Sequence, residues 1–282
     1  MRSVGTTYQG YLKVPTSAQN VEMLYKEPKM NPFLLKENEY LILTNEDGSV
    51  ADRLKWQDGE MKRVIPKPFS SAIHGKIKAK NVEQECLMDM LDDSSVTVKT
   101  ISGPFGSGKS FLGLAFAFKA IEEGKFEKLT YVRNTIEVKN SNSIGFLKGS
   151  YLEKMAVWAG PLIDFLGGMD QFEQAIERGS VEVEHLGFLR GRNISNSIIF
   201  ATEAEHLTRE HVQLLLGRVA EGSILILEGD CRQIDAKAFE EDNGLEAAIT
   251  KLQGNRLFSY IYLQESVRSE TAKLADLLNK EE

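Results

Sequence analysis

Val96-Thr97-Val98-Lys99-Thr100-Ile101 and, one residue on, Gly103-Pro104-Phe105-Gly106-Ser107-Gly108-Lys109-Ser110 decide the fold of this chain. The first run is short, apolar and β-branched. The second has glycines, a lysine and a hydroxyl at the Walker A offsets, and Phe111 onward continues as an amphipathic helix, so the setting is strand, loop, helix. Glycines let backbone N–H groups curl around phosphate oxygens, and the helix N-terminus adds partial positive charge. Lys109 is placed to reach β- and γ-phosphates and Ser110 to ligate magnesium, which makes Gly103 through Phe111 the expected ATP-binding stretch. Phe111, Leu112, Leu114, Phe116 and Phe118 have the helical spacing of a buried face.

Outward from the loop, strands alternate with helices. The expected strands are Val96–Ile101, Leu129–Arg133, Ser197–Thr202, Ile224–Glu228 and Tyr260–Gln264. Helical patterns cover Val82–Leu91, Lys109–Glu123, Tyr151–Leu166 with a kink at Pro161, Gln171–Arg178, Arg209–Val219 and Glu270–Leu278. That alternation predicts an α/β fold with a mostly parallel sheet. Before residue 70 the period is near two. Glu39–Thr44, Val50–Trp56 and Met61–Ile65, separated by Glu46-Asp47-Gly48-Ser49 and Gln57-Asp58-Gly59, read as hairpins of a small antiparallel β subdomain. Pro66, Pro68, Ser70 and Ser71 read as a linker. The expected organisation is a β subdomain with linker over 1–70 and an ATPase domain over 75–282.

Composition excludes several classes. With 42% hydrophobic and 27% charged residues the chain is globular rather than disordered. Cys86 and Cys231 make neither a disulfide framework nor a zinc site, no signal peptide is visible and no apolar run is long enough to span a bilayer, so a cytoplasmic, membrane-free protein is expected. The net charge of -7 is local: residues 1–70 carry +1, 71–200 carry -1 and 201–282 carry -7. Overall acidity therefore does not exclude a nucleic-acid partner.

Hydrolysis of a triphosphate needs a carboxylate near magnesium and a group that orients the attacking water. Ser197-Ile198-Ile199-Phe200-Ala201-Thr202-Glu203 ends in the right kind of residue, but Thr202 stands where an aspartate is expected and Glu203 follows. Glu203 is thus the candidate general base and metal-site carboxylate. Threonine offers only a neutral hydroxyl, and charge-assisted hydrogen bonds are roughly twice as strong, so binding with slow turnover is expected, and Thr202→Asp should raise the rate unless another residue such as Asp230 already fills the role. Gly229-Asp230-Cys231-Arg232-Gln233 ends the next strand.

Together these tracts resemble the PhoH-like family of P-loop ATPases from about Lys80 to Leu278. The matching stretches include Asn81-Val82-Glu83-Gln84, Gly145-Phe146-Leu147-Lys148-Gly149, Glu153-Lys154-Met155, Leu189-Arg190-Gly191-Arg192-Asn193, Glu203-Ala204-Glu205-His206-Leu207-Thr208, Gly229 through Asp235, and Val267-Arg268-Ser269. The resemblance implies a RecA-like core related to superfamily 1 helicases, with Gln84 reading adenine and Gln233 sensing the γ-phosphate. Arg268, Arg218, Arg190 and Arg192 compete as the arginine that neutralises transition-state charge, Arg268 being favoured; the commoner fate of an arginine is a surface salt bridge. Arg133, Lys139, Lys148 and Lys154 lie where helicases face nucleic acid, or else form a solvated face. His185, His206 and His211 are expected at the surface, and Trp158 in the core.

One RecA-like lobe needs a second copy to complete its site. A homo-oligomer is therefore expected, and the resemblance suggests a hexamer, acting on single-stranded RNA or DNA. A nucleotide-dependent switch or scaffold and a small-molecule kinase are the competing readings; Glu203 and the Gly229–Gln233 run suit water activation better than the kinase. Long family members carry a PIN nuclease ahead of the β segment. The 38 residues before Glu39 are too few for one, so no such ribonuclease is expected. Short nuclease-free members are often carried by phages, which makes a phage origin an expectation of the resemblance.

Overall fold

Near the N-terminus, apolar side chains alternate with polar ones and form a four-stranded sheet from Tyr11–Pro15 (β1), Glu39–Thr44 (β2), Val50–Gln57 (β3) and Glu60–Arg63 (β4), in that spatial order. The computed structural model describes residues 8–134, 156, 158–232, 234, 239 and 241–267. Asp58 and Gly59 close the β3–β4 hairpin, both with positive φ (55° and 77°), the backbone that a two-residue turn matching strand twist requires. The sheet is not wholly antiparallel. β1 runs parallel to β2, with Tyr11 opposite Tyr40, because the chain crosses over through helix Ala18–Lys26 (α1) before returning. Leu24, Leu35, Leu41, Leu43, Leu54 and Met61 form its own buried cluster.

The expected linker is partly structured. Phe69–Ser71 (β5) pairs with Gly75–Ile77 (β6), and Phe69 is buried 6.1 Å from the ring of Phe116, so its apolar ring draws the segment onto the larger body. The small sheet is also tied down elsewhere. Tyr40 donates to Asp89 at 2.8 Å, and the Asn38 amide donates to the carbonyls of Arg256 and Phe258 at 2.9 and 3.0 Å.

The larger sheet comprises Val98–Ser102 (β7), Lys128–Arg133 (β8), Val181–His185 (β9), Ser197–Thr202 (β10), Ile224–Gly229 (β11) and Phe258–Tyr262 (β12), all parallel, in the order β12-β7-β11-β10-β8-β9. One strand, β11, separates the strand that feeds the glycine-rich loop from β10. This is the strand order of a RecA-like P-loop core. Both faces are covered. Val82–Asp92 (α2), Lys109–Glu122 (α3), Gly160–Leu166 (α4) and Met169–Glu177 (α5) contribute to the cluster that includes Ile198, Phe200 and Ile226. Arg209–Leu216 (α6) and Gly244–Leu252 (α7) cover Ile199, Ala201, Leu225 and Leu227, the alternate side chains of the same strands. At Gly113 a β-carbon would stand 2.6 Å from the ring of Phe200, so glycine is what lets α3 lie this close to β10.

The structure moves several expected elements. β7 starts two residues and ends one residue later than the span expected for it, β12 lies two residues earlier than its expected span, and β1, β9, α1 and α7 were not anticipated. Of the helix expected over 151–166, the described part is α4, with Pro161 in its first turn, where its missing N–H costs nothing; residues 151–155 and 157 lie outside the described residues. The expected helix over 270–278 lies outside the described residues. Among the described residues no helix is long and apolar enough to cross a membrane.

Lys99, on β7, is fully enclosed and donates to the carbonyls of Met90 and Asp93 at 2.7 and 2.5 Å, closing the C-terminal end of α2. Burial lowers its ammonium pKa to about 7, against the opposing pull of Asp93. A lysine whose folded pKa is depressed binds fewer protons than in the unfolded chain between that value and its ordinary 10.5, so stability rises with pH across this window. The melting temperature of the unaltered protein should therefore gain on that of Lys99→Met as pH goes from 7 to 10. A difference independent of pH would show that Lys99 does not titrate there.

Candidate functional site

The C-terminal ends of β7, β10 and β11 and the first turn of α3 enclose a cleft of about 360 Å³, lined among others by Gly106, Gly108, Lys109, Ser110, Phe111, Thr202, Glu203, Glu205, Glu228 and Asp230. Parallel α/β sheets bind ligands at this edge. Gly103, Gly106 and Gly108 all have positive φ, which wraps the loop around the helix start. At Gly103 a β-carbon would fall 2.4 Å from the carbonyl oxygen of Leu263, so no side chain fits. The first N–H groups of α3 have no carbonyl within their own helix, an arrangement that suits an anionic ligand.

Lys109 is buried, and its ammonium donates to the carbonyls of Gly103 and Pro104 at 2.6 and 3.1 Å, folding the side chain over its own loop. Its Nζ lies 4.0 Å from Oε1 of Glu228. Gln84, expected either to read adenine or to lie in solvent, is buried. Its carboxamide accepts from the Lys80 N–H at 2.8 Å and donates to the Ser107 carbonyl at 2.9 Å, which ties α2 to the loop. Phe111 is not a core residue. It is 42% exposed and lies against the rings of His74 and Phe165, at the rim of the cleft rather than in the face formed by Leu112, Leu114, Phe116 and Phe118.

Glu203 follows β10 in a left-handed conformation, φ 52°, unusual for a residue with a full side chain and characteristic of functional turns. Arg133, at the end of the adjacent β8, holds both of its carboxylate oxygens, with Nε 3.0 Å from Oε2. Arg133 is thus ion-paired with Glu203 of the cleft wall, while the other residues of the expected basic track, Lys139, Lys148 and Lys154, lie outside the described residues. Beside it, Glu205 accepts the Asp230 N–H at 3.0 Å, and burial raises its carboxyl to about 8, the nearby Glu228 and Glu203 adding to the rise. His206 is buried, against the surface position expected for it. His211 is part of the α6 capping box with Thr208, and Trp158 packs partly buried against the main core.

Sequence reasoning missed Glu228. It lies at the end of β11, buried, and accepts a hydrogen bond from the Thr202 hydroxyl at 2.7 Å. Burial raises its carboxyl pKa, opposed by the charge of Lys109 and by hydrogen bonds from the Thr202 and Ser110 hydroxyls. The signal available was an acidic residue closing an otherwise apolar strand. Asp230 is occupied differently, its Oδ1 accepting the Arg232 N–H at 3.1 Å. Of the competing arginines, Arg192 pairs with Glu184 and with Glu182 and is a structural ion pair, Arg218 donates to the Arg192 carbonyl at 3.1 Å, and Arg190 is exposed. Gln233, Arg268, Lys139, Lys148 and Lys154 lie outside the described residues.

The oxygen donors around Ser110 and the glycine-framed loop fit a magnesium–nucleotide pair, since magnesium is held by hard oxygen ligands, commonly one or two carboxylates together with phosphates.

The family model described as PhoH-like protein matches residues 76–278. PhoH2 of Mycolicibacterium smegmatis is 32% identical over 201 residues, covering 70% of this chain and 46% of that protein. PhoH2 of Bacillus subtilis is 31% identical over 291 residues, covering 96% and 64%. The PhoH-like protein of Bacillus subtilis is 28% identical over 278 residues, covering 87% and 85%. The chain spans about half to two thirds of the length of the two PhoH2 proteins. Among solved structures, Pif1 helicase from Candida albicans is similar at 15% identity with a TM-score of 0.37, covering 72% of this chain and 44% of that one.

Proposed function

We propose that this chain, which belongs to the PhoH-like protein family, is a magnesium-dependent ATPase that acts on single-stranded RNA or DNA as a homo-oligomer. The observation that carries the reading is the meeting of the glycine-rich loop, Lys109, Ser110 and two carboxylates, Glu203 and Glu228, in one cleft. Lys109 swings from the loop carbonyls to the β- and γ-phosphate oxygens. The α3 N-terminus and loop amides hold the remaining oxygens, and Gln84 fixes the loop through Ser107. Glu203, oriented by Arg133, positions the attacking water and takes up its proton. Bound magnesium neutralises phosphate charge, with Ser110 among its holders. Gln233 completes this reading as γ-phosphate sensor, and Arg268 as the charge-neutralising arginine, in cis or from a neighbouring copy.

The polymer rests on the basic residues Lys139, Lys148 and Lys154 and on the kinship with helicases that the resemblance implies. Hydrolysis measured with magnesium should rise several-fold when single-stranded RNA or DNA is added, and the stimulation should fall steeply with salt, as contacts to a phosphate backbone do. Hydrolysis indifferent to either polymer would remove the nucleic-acid part. A second reading, a nucleotide-dependent switch, is favoured by the neutral Thr202 at the end of β10; tight ATP binding without turnover would establish it. Oligomer formation is checked by sedimentation with and without ATP, and a monomer in both conditions would exclude the shared site.

A further inference from the structure

Thr202 deprives β10 of an acidic end, yet the cleft is not short of a carboxylate at that depth. Ala201 lies opposite Leu227 in the parallel register of β10 and β11, so Thr202 and Glu228 are the next pair along and project to the same face. Glu228 Oε2 takes the Thr202 hydroxyl at 2.7 Å, Oε1 lies 4.0 Å from Lys109 Nζ, and the Ser110 hydroxyl also turns to this carboxylate. A carboxylate so enclosed, with Lys109 the one cation at the limit of contact among the described residues, is costly to keep unless it serves a cationic partner. It is nonetheless in the wall of the cleft, beside the hydroxyl that the Walker A pattern assigns to the metal.

We propose that Glu228, oriented by the Thr202 hydroxyl, is the carboxylate that holds the magnesium of the nucleotide site, directly or through a water, so that the acid of this site comes from β11 instead of β10. The assignment rests on the reading of the chain as a magnesium-dependent ATPase and adds the ligand which that reading leaves open. Glutamate is one methylene longer than aspartate, which suits a ligand reaching in from the neighbouring strand. Asp230 is the less suitable acid, because its carboxylate already closes the turn to Arg232. Glu203 is engaged on both oxygens by Arg133. The pair Thr202–Glu228 then acts as one unit: a hydroxyl where an acid was expected, and an acid on the adjacent strand to which that hydroxyl donates.

The assignment is tested by ATP affinity measured with excess magnesium and with EDTA, together with hydrolysis, for the unaltered chain, Glu228→Gln, Thr202→Asp and the exchange Thr202→Asp/Glu228→Thr. Magnesium should tighten ATP binding to the unaltered chain. Glu228→Gln should lose on the order of tenfold or more of that tightening while binding ATP in EDTA as well as before. Thr202→Asp alone should lower turnover and melting temperature, since it sets two carboxylates side by side in a buried site. The exchange should recover the magnesium effect by restoring one acid and one hydroxyl. Retention of the full magnesium effect in Glu228→Gln, or faster turnover in Thr202→Asp alone, would overturn the assignment. If Glu228→Gln does not fold, the exchange decides, and no recovery there also overturns it. No ATP binding by the unaltered chain under either condition would overturn the ATPase reading and this assignment with it, whereas magnesium-dependent binding indifferent to Glu228 removes the assignment alone.

Discussion

Lys109→Ala should lower ATP hydrolysis on the order of 10²- to 10³-fold, as loss of a donor aimed at developing transition-state charge does, and should weaken ATP binding as well. The geometry gives this lysine two tasks. Its ammonium is the cation at the mouth of the glycine-rich loop, held ready on the carbonyls of Gly103 and Pro104. It is also the cation nearest to the buried Glu228 among the ion pairs of the described residues. Removing it therefore takes away a phosphate ligand and leaves an enclosed carboxylate without its counter-charge, which is destabilising. The melting temperature of Lys109→Ala should fall, and adding Glu228→Gln should recover part of the fall without recovering hydrolysis. That split is informative, because a lysine that acted only on phosphate would show no such recovery. Lys109→Arg should not rescue activity, because a planar fork replaces a compact ammonium in a closed loop. Hydrolysis by Lys109→Ala within about threefold of the unaltered chain would contradict the site, since a donor of this kind is worth far more.

The parts of the fold legible in the sequence are those written in local chemistry. The glycine-rich loop declares itself because its φ angles, its lysine and its hydroxyl must occupy fixed offsets, and its flanking strand and helix follow. Asp58-Gly59 declares a hairpin because few residue pairs accept two positive φ values in succession. β10 and β11 are plain because strands buried on both faces read as apolar runs. β1 was not legible, because a parallel strand is fixed by a distant partner, here β2 across α1, and not by its own turn. β9 could have been read from the alternation Val181-Glu182-Val183-Glu184, as could α7 from Asn243 capping the N–H of Glu246, a start signal in plain sequence.

The candidate site divides in the same way. Lys109 and Ser110 follow from a contiguous motif. Glu228 does not, because its meaning depends on the register of β11 against β10 and on a hydroxyl twenty-six positions away. Arg133 was read as part of a basic stretch for the same reason: charge along the chain is visible, but its partner Glu203 is reached only when β8 and β10 lie side by side, with Arg133 opposite Thr202. Phe111 was misassigned by periodicity, which counts the first turn of α3 as though it were as deep as the turns that follow.

Glu203→Gln should lower hydrolysis by roughly 10²- to 10⁴-fold while leaving ATP affinity with magnesium nearly unchanged, the signature of a lost general base. The amide keeps the size and one acceptor oxygen of the carboxylate but cannot take a proton from water. Two features support the magnitude. The residue is held at φ 52°, a conformation of appreciable cost that fixes where its side chain leaves the backbone. Arg133 then clamps the carboxylate by a two-point, charge-assisted contact, so its orientation is set before any nucleotide arrives. Arg133→Ala should accordingly fall between the unaltered chain and Glu203→Gln, lowering the catalytic rate by misplacing the base while the base itself remains. The two variants separate position from chemistry: both should bind ATP with magnesium nearly as the unaltered chain does, while Arg133→Ala keeps a residual base-assisted rate that Glu203→Gln lacks. Should Glu203→Gln hydrolyse ATP at an undiminished rate, water activation would have to come from elsewhere in the cleft and Glu203 would not be the base.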